Sequence, residues 1–297
     1  MSRSTHRPSL LVIVALVVAG CFDAAAPSVA PTPTRAPEPT PTVTTYELGT
    51  SVWYAGLVVT VERAVAVLDA RGGSVTVEAS LRNEGSEEPT SIGGPVRLVI
   101  DGEAFEPTRE TVIPEVALGS TAGTTIEFDV VGHRSADAAA IVIGREDEHQ
   151  PRIPFGPEGG EVAAFEPVRL EISGNGTAGQ LRIRLREAEL RWDLPDWAQQ
   201  ASASTAILTV VYDATYVGSF AGGFPFTAEN VALKLADGVW VRPRPDGRSQ
   251  SIELIGAGKT KKDLRSRFEI PADHTGKIEL IAIDGSKRRY LAFDLPG

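Results

Sequence analysis

The sequence predicts an all-β protein built as two β-sandwiches in tandem, and three observations carry that expectation. From Thr45 onward, short apolar-rich runs are separated by Gly, Pro and Asp-Gly, and several runs alternate apolar with polar residues. Such period-two alternation marks a strand with one buried face. No window offers a long amphipathic helix; the best short candidate is 196–202, just after Pro195. Finally, the second half repeats the first. Phe128-Asp129-Val130 matches Phe268-Glu269-Ile270, and Ile141-Val142-Ile143 matches Ile281-Ala282-Ile283, both at an offset of 140 residues. Residues 96–102 match 231–238 with one insertion, Pro107 then falls opposite Pro243, and Ile153-Pro154-Phe155 parallels Leu291-Ala292-Phe293. Four matches in one order point to a single sandwich built twice.

A different kind of sequence precedes the strands. Arg3, His6 and Arg7 lead into the apolar run 10–19, and Val18-Ala19-Gly20 lead into Cys21, the single cysteine of the 297-residue chain. A basic segment, a short apolar core and small residues before a cleavage point form a secretory signal. The apolar run is about ten residues, whereas a membrane span takes roughly twenty. Val18-Ala19-Gly20-Cys21 resembles the lipobox of bacterial lipoproteins, which implies that 1–20 is a removable signal peptide and that Cys21 receives the lipid. Two or more acyl chains then hold a protein stably on a membrane. Residues 21–44 follow as a Pro/Thr-rich tether. Within it, 26–44 reads APSVAPTPTRAPEPTPTVT, and alternating Pro with small residues favours extended polyproline II over any packed core.

The candidate strands of the first sandwich are 57–67, 74–82, 96–100, 124–130 and 139–143. In 74–81, Val75, Val77, Ala79 and Leu81 face one way, and Thr76, Glu78 and Ser80 the other. The Asp-Gly pairs at 101, 237, 246 and 284 read as hairpin turns. Charge separates the halves, because 45–157 holds 8 Arg, no Lys and 18 acids, whereas 158–297 holds 18 basic and 19 acidic residues. Surfaces that differ this much mark two domains, 45–157 and 158–297. With Cys21 committed to lipid there is no intrachain disulfide, so each domain must be held by its own core. The stretches Tyr46-Glu47-Leu48-Gly49-Thr50, Gly56-Leu57-Val58-Val59-Thr60-Val61 and 75–83, ending in Asn83, resemble the telokin-like, immunoglobulin-like domains of bacterial surface lipoproteins. That resemblance implies two tandem immunoglobulin-like β-sandwiches at the cell surface, and it implies no particular activity.

Few residues offer catalytic chemistry. Removal of 1–20, with Arg3 and Arg7, leaves 27 basic against 39 acidic residues, a balance of −12. This argues against nucleic acid as a partner, since that requires a basic footprint. No G-x-S-x-G elbow occurs. His133, His149 and His274 are isolated and read as solvated loop residues, and no pair has metal-ligand spacing. Glu146-Asp147-Glu148, beside His149, lacks the ligand spacing and tight Gly turn of a calcium loop. No catalytic residue, metal or cofactor is therefore expected. Paired carboxylates stay open as a hydrolytic option, because their separation is not readable from sequence.

Two aromatic stretches are candidates for binding. Trp192 and Trp197 lie in 191–197, and Tyr216, Phe220, Phe224 and Phe226 lie among glycines in 216–226. Loop aromatics bury large areas at low entropy cost; the competing reading is that they fold inward and cap the sandwich. Lys261, Lys262 and Arg265, with Lys287-Arg288-Arg289, read either as a face toward anionic headgroups or wall polymers or as guards of edge strands. The expected function is a lipid-anchored, extracytoplasmic, non-catalytic binding or scaffolding module at the cell envelope. Its expected partners are the membrane, through the lipid on Cys21, and an unknown envelope protein or polymer. The alternatives are a carboxylate-dependent hydrolase of envelope polymers and a purely structural spacer.

Overall fold

Alternating Val, Ile, Leu and Ala drive most of the described residues into strands, many of which bury one face. The computed structural model describes residues 40–85, 88–244 and 252–296; Cys21, the stretch 1–20 read as a signal peptide, most of 21–44 and the Asp-Gly pair at 246 lie outside the described residues. The first half contains β1 (Thr42–Tyr54), β2 (Leu57–Leu68), β3 (Gly72–Asn83), β4 (Val96–Ile100), β5 (Glu103–Phe105), β6 (Thr121–Val131), β7 (Ala139–Ile143) and β8 (Arg152–Pro154). One antiparallel sheet runs β1-β2-β3-β6 and the other β5-β4-β7-β8. Leu57, Val75, Val77 and Phe128 from the first sheet meet Leu98, Ile141 and Ile153 from the second in one core. This is a β-sandwich, and its orders interleave as in Greek-key folds. Asp101 and Gly102, with φ of 49° and 85°, make the β4–β5 turn as the Asp-Gly pair predicts.

The second half contains β9 (Val168–Leu170), β10 (Gly174–Ala178), β11 (Leu181–Arg191), β12 (Asp193–Leu194), β13 (Gln199–Gln200), β14 (Thr205–Tyr216), β15 (Phe224–Phe226) and β16 (Val231–Lys234). It continues with β17 (Trp240–Val241), β18 (Glu253–Ile255), β19 (Thr260–Pro271), β20 (Gly276–Asp284) and β21 (Lys287–Leu295). Its main sheets run β10-β11-β14-β19, with β9 also on β11, and β17-β16-β20-β21. Leu208, Val210, Leu233, Phe268, Leu280 and Phe293 fill the second core. Strand for strand, these orders repeat those of the first half. Even the bulges correspond: Glu62 is the extra residue of β2 against β3, and Arg186 the extra residue of β11 against β14.

Three of the four sequence matches keep their register in space, and one does not. Phe128 faces Val75 and Phe268 faces Leu208 on equivalent ladders. Ile141, however, pairs with core-facing Leu98, whereas Ile281 pairs with Ala232, which points away from the core. The counterpart of Ile141 is Leu280, because a slip of one residue exchanges the two faces of a strand.

Three boundaries differ from expectation. Thr42, Val43 and Thr44 pair with Leu68, Val67 and Ala66, so the strand begins inside the stretch read as tether. No helix forms over 196–202: a single 3-10 turn, Pro195–Trp197, ends at Ala198 with φ of 48°, and β13 follows. Ala163 exchanges backbone bonds with Arg152, and the Ala164 carbonyl accepts the Trp53 amide, so the chain stays with the first sandwich past 157. Among the described residues no helix is long and apolar enough to cross a membrane, which says nothing of β-barrels.

Candidate functional site

Chemistry-bearing side chains gather at the joint between the sandwiches and in a cleft beside Trp197. The joint is built by the insertion between β11 and β14. Arg191, at the end of β11, grips the Asp193 carboxylate at 2.7 and 3.2 Å, with Glu189 3.5 Å from the same guanidinium. Burial lowers the Arg191 pKa, but the bond to Asp193 and the charges of Asp193 and Glu189 outweigh burial and leave it raised. Asp193, only 3% exposed, also accepts the Gly56 amide at 2.7 Å. Gln200 Oε1 accepts the adjacent Ala55 amide at 2.9 Å.

The loop between β7 and β8 closes the joint from the other side. His149 donates its amide to the Ala201 carbonyl and its Nε2–H to the Thr205 carbonyl at 2.7 Å, while the Ala203 amide donates to Asp147. Phe165 lies with its ring centre 4.9 Å from His149 and 6.1 Å from Trp192. Glu148 accepts the Tyr54 hydroxyl and the Arg145 amide, both at 3.0 Å. His149 is therefore a buried joint residue and not a solvated one. Of the acid run beside it, Asp147 and Glu148 meet the insertion through their backbone, whereas Glu146 stays exposed near Arg97, and Trp192 packs inward. Sequence reading missed this joint. Nothing local in the sequence marks Glu148 or Gln200 as partners of Tyr54 and Ala55.

Trp197 ends the 3-10 turn and keeps 38% of its surface exposed. The guanidinium groups of Arg244 and Arg267 lie 5.4 and 5.9 Å from its ring centre, within cation–π range. Arg267 also pairs with Asp196. Beside these groups runs a cavity of about 260 Å³, lined in part by Tyr212, Phe226, Lys261, Arg265 and Ser266. The Tyr212 hydroxyl sits 2.8 Å from Ser266 Oγ, and burial pushes its pKa up. Lys261 is held by Glu253 at 3.0 Å. The basic run thus lies on β19, an edge strand of its sheet, and at the same time lines the cleft.

The six aromatic candidates do not form one surface. Tyr216 and Phe226 are 2% and 5% exposed and belong to the second core, which removes both as exposed anchors. Phe224 packs against Tyr216 with ring centres 5.7 Å apart. Phe220, by contrast, is 69% exposed. Trp197 sits with Arg267, which pairs with Thr209, whereas Phe224 lies by Tyr216, seven residues farther along β14. At about 3.3 Å per residue that is roughly 20 Å of strand. Among the other histidines, His133 lies 3.2 Å from Glu103 and His274 accepts the Ala236 amide at 3.4 Å. Among the described residues no group of three His, Cys, Asp or Glu is placed to hold a metal ion.

The chain matches no protein-family model and no curated protein sequence. Among solved structures, it is similar to a conserved domain protein from Bacillus anthracis at 12% identity and a TM-score of 0.25, over 84% of this chain and 90% of that one. A likeness at that score carries no functional argument.

Proposed function

We propose that this chain is a lipid-anchored, extracytoplasmic, non-catalytic binding module of the cell envelope, made of two immunoglobulin-like sandwiches, and that the second sandwich meets the partner. The lipobox-like Val18-Ala19-Gly20-Cys21 supplies the anchor, and 21–44 supplies reach. One observation supports placing the working surface on the second sandwich. The chain enters β1 at Thr42, opposite Leu68, while the joint touches the other end of the first sandwich, at Ala55, Gly56 and His149. The second sandwich, the one farther along the chain from the tether, carries Trp197 and its cleft.

Two of the three carboxylate residues that line the cleft are tied up, Asp196 by Arg267 and Glu253 by Lys261, which favours a binding role. The partner is an envelope protein or polymer. Cys21→Ala is expected to abolish membrane attachment, read by fractionation and by the mass of the mature N-terminus. A wild-type chain that matures at another residue overturns the anchor. Trp197→Ala is expected to lower partner recovery several-fold in crosslinking from intact cells while the unfolding midpoint stays put; unchanged recovery overturns this surface.

A further inference from the structure

The outer face of the sheet β17-β16-β20-β21 carries a second aromatic surface, separate from the Trp197 cleft. Alternation turns Leu233, Leu280 and Phe293 into the core and leaves Lys234, Glu279, Ile281 and Tyr290 outside. Ala232 and Ile281 are nonetheless fully buried, and with Ile283 they form a small cluster of their own. Residues on an outward face are buried only if something folds over them. Here the cover comes from the two edge strands: Trp240 of β17 and Tyr290 of β21 lean together, ring centres 6.4 Å apart at 88°, although two strands lie between theirs.

The covering rings stay open to solvent, Trp240 at 40% and Tyr290 at 42% exposure. Cations flank both. Lys234 Nζ lies 5.6 Å from the Tyr290 ring centre and the Arg288 guanidinium 5.7 Å from that of Trp240. Arg242 and Arg288 also line an adjoining hollow of about 550 Å³. The equivalent face of the first sandwich is closed differently. Its outward Ala140 and Val142 are buried, and Arg152 is pinned to the Gly159 carbonyl at 3.0 and 2.8 Å. Among the described residues that face shows no exposed aromatic pair.

We propose that the Trp240–Tyr290 face binds an acidic polysaccharide. The apolar C–H faces of sugar rings stack on the indole and phenol, and carboxylate, sulfate or phosphate substituents meet Arg242 and Arg288, while Lys234 is held by Glu279 at 2.9 Å. Guanidinium groups suit such oxyanions because their donors match two oxygens at once. A peptide adding as a strand is disfavoured, since β17 is two residues long and β21 lies against β10. A membrane surface is disfavoured because, as proposed above, the second sandwich meets an envelope partner. On that last point alone the inference rests on the proposed function.

Electrophoresis of the full chain, in mild non-ionic detergent, through gels holding heparin, polygalacturonate or neutral dextran tests it. Retardation by both acidic polymers and not by dextran is expected. Trp240→Ala with Tyr290→Ala should weaken it about tenfold or more, Trp240→Phe with Tyr290→Phe should retain most of it, and Arg288→Gln should weaken it and flatten its salt dependence. Should the alanine pair unfold, the phenylalanine pair and Arg288→Gln decide. Absence of retardation by the acidic polymers, equal retardation by dextran, indifference to these substitutions, or preference for polyglutamate or anionic phosphatidylglycerol vesicles overturns the inference. Trp197→Ala should leave retardation intact, so the two surfaces can fail independently.

Discussion

Tyr46 and Asp137 show how one contact fixes two ionisation states. The phenol donates to Asp137 Oδ1 at 2.9 Å, and burial, followed by that bond and the carboxylate charge, raises the Tyr46 pKa to about 12. Asp137 is shifted the other way, below its ordinary value, by the Ser135 hydroxyl first and Tyr46 second. A phenol whose pKa rises on folding stabilises the fold fully below its ordinary pKa near 10, and that contribution disappears as pH climbs through the folded value. For the carboxylate the sign reverses: its contribution is complete above about pH 4 and is lost as pH falls through the lowered folded value. Tyr46→Phe is expected to delete one tyrosinate absorbance step near pH 12; deletion of a step near pH 10 instead would contradict the contact. Such pairings, 91 residues apart in sequence, are invisible to local patterns. Burial of Tyr216 was equally hard to read, because the glycines that follow it make 216–226 look like loop, while Tyr216 is the last residue of β14.

At the scale of elements, alternation carried most of the strand assignments, since burial on one face leaves its signature in every second residue. The insertion between β11 and β14 was not legible. Its two-residue strands and single 3-10 turn have no period, and its conformation is set by what it presses against. Pro195 lies against Gly85 so closely that an added Cβ would come within 2.1 Å of the Pro195 Cβ. The Pro195 ring is fixed to its own backbone and is no flexible side-chain end, so a side chain at 85 must push the insertion away. Gly85→Ala is therefore expected to destabilise by about 1–3 kcal/mol, the usual cost of overpacking. Hydrogen exchange locates the damage: the Ala55 and Gly56 amides, which donate to Gln200 and Asp193, should exchange faster, while amides of β3 paired to β6 keep their protection. Unchanged exchange at Gly56 would mean that the insertion yields without leaving its seat.

The whole molecule holds two large, separate cores, one drawn from residues before Phe155 and its neighbours and one from Ile172 onward, bridged by the polar and aromatic joint. Charge asymmetry and internal repetition made this duplication readable, because both survive without any knowledge of packing. The dividing point was not readable, since 158–166 has neither alternation nor a strand of its own yet completes the first sandwich. Cutting after 157 removes the Ala164 carbonyl that accepts the Trp53 amide at 2.8 Å, and both backbone bonds between Arg152 and Ala163 at 3.1 Å. The two bonds from the Arg152 guanidinium to the Gly159 carbonyl go with them; at about 1 kcal/mol net for each of the three backbone bonds alone, roughly 3 kcal/mol or more is lost, a large share of the stability of a small domain. A fragment covering 40–166 is thus expected to unfold at clearly higher denaturant than one covering 40–157, with similar slopes because both bury nearly the same core. Equal midpoints for the two fragments would show that the segment after Pro157 only leans on the first sandwich and that the boundary lies where composition placed it.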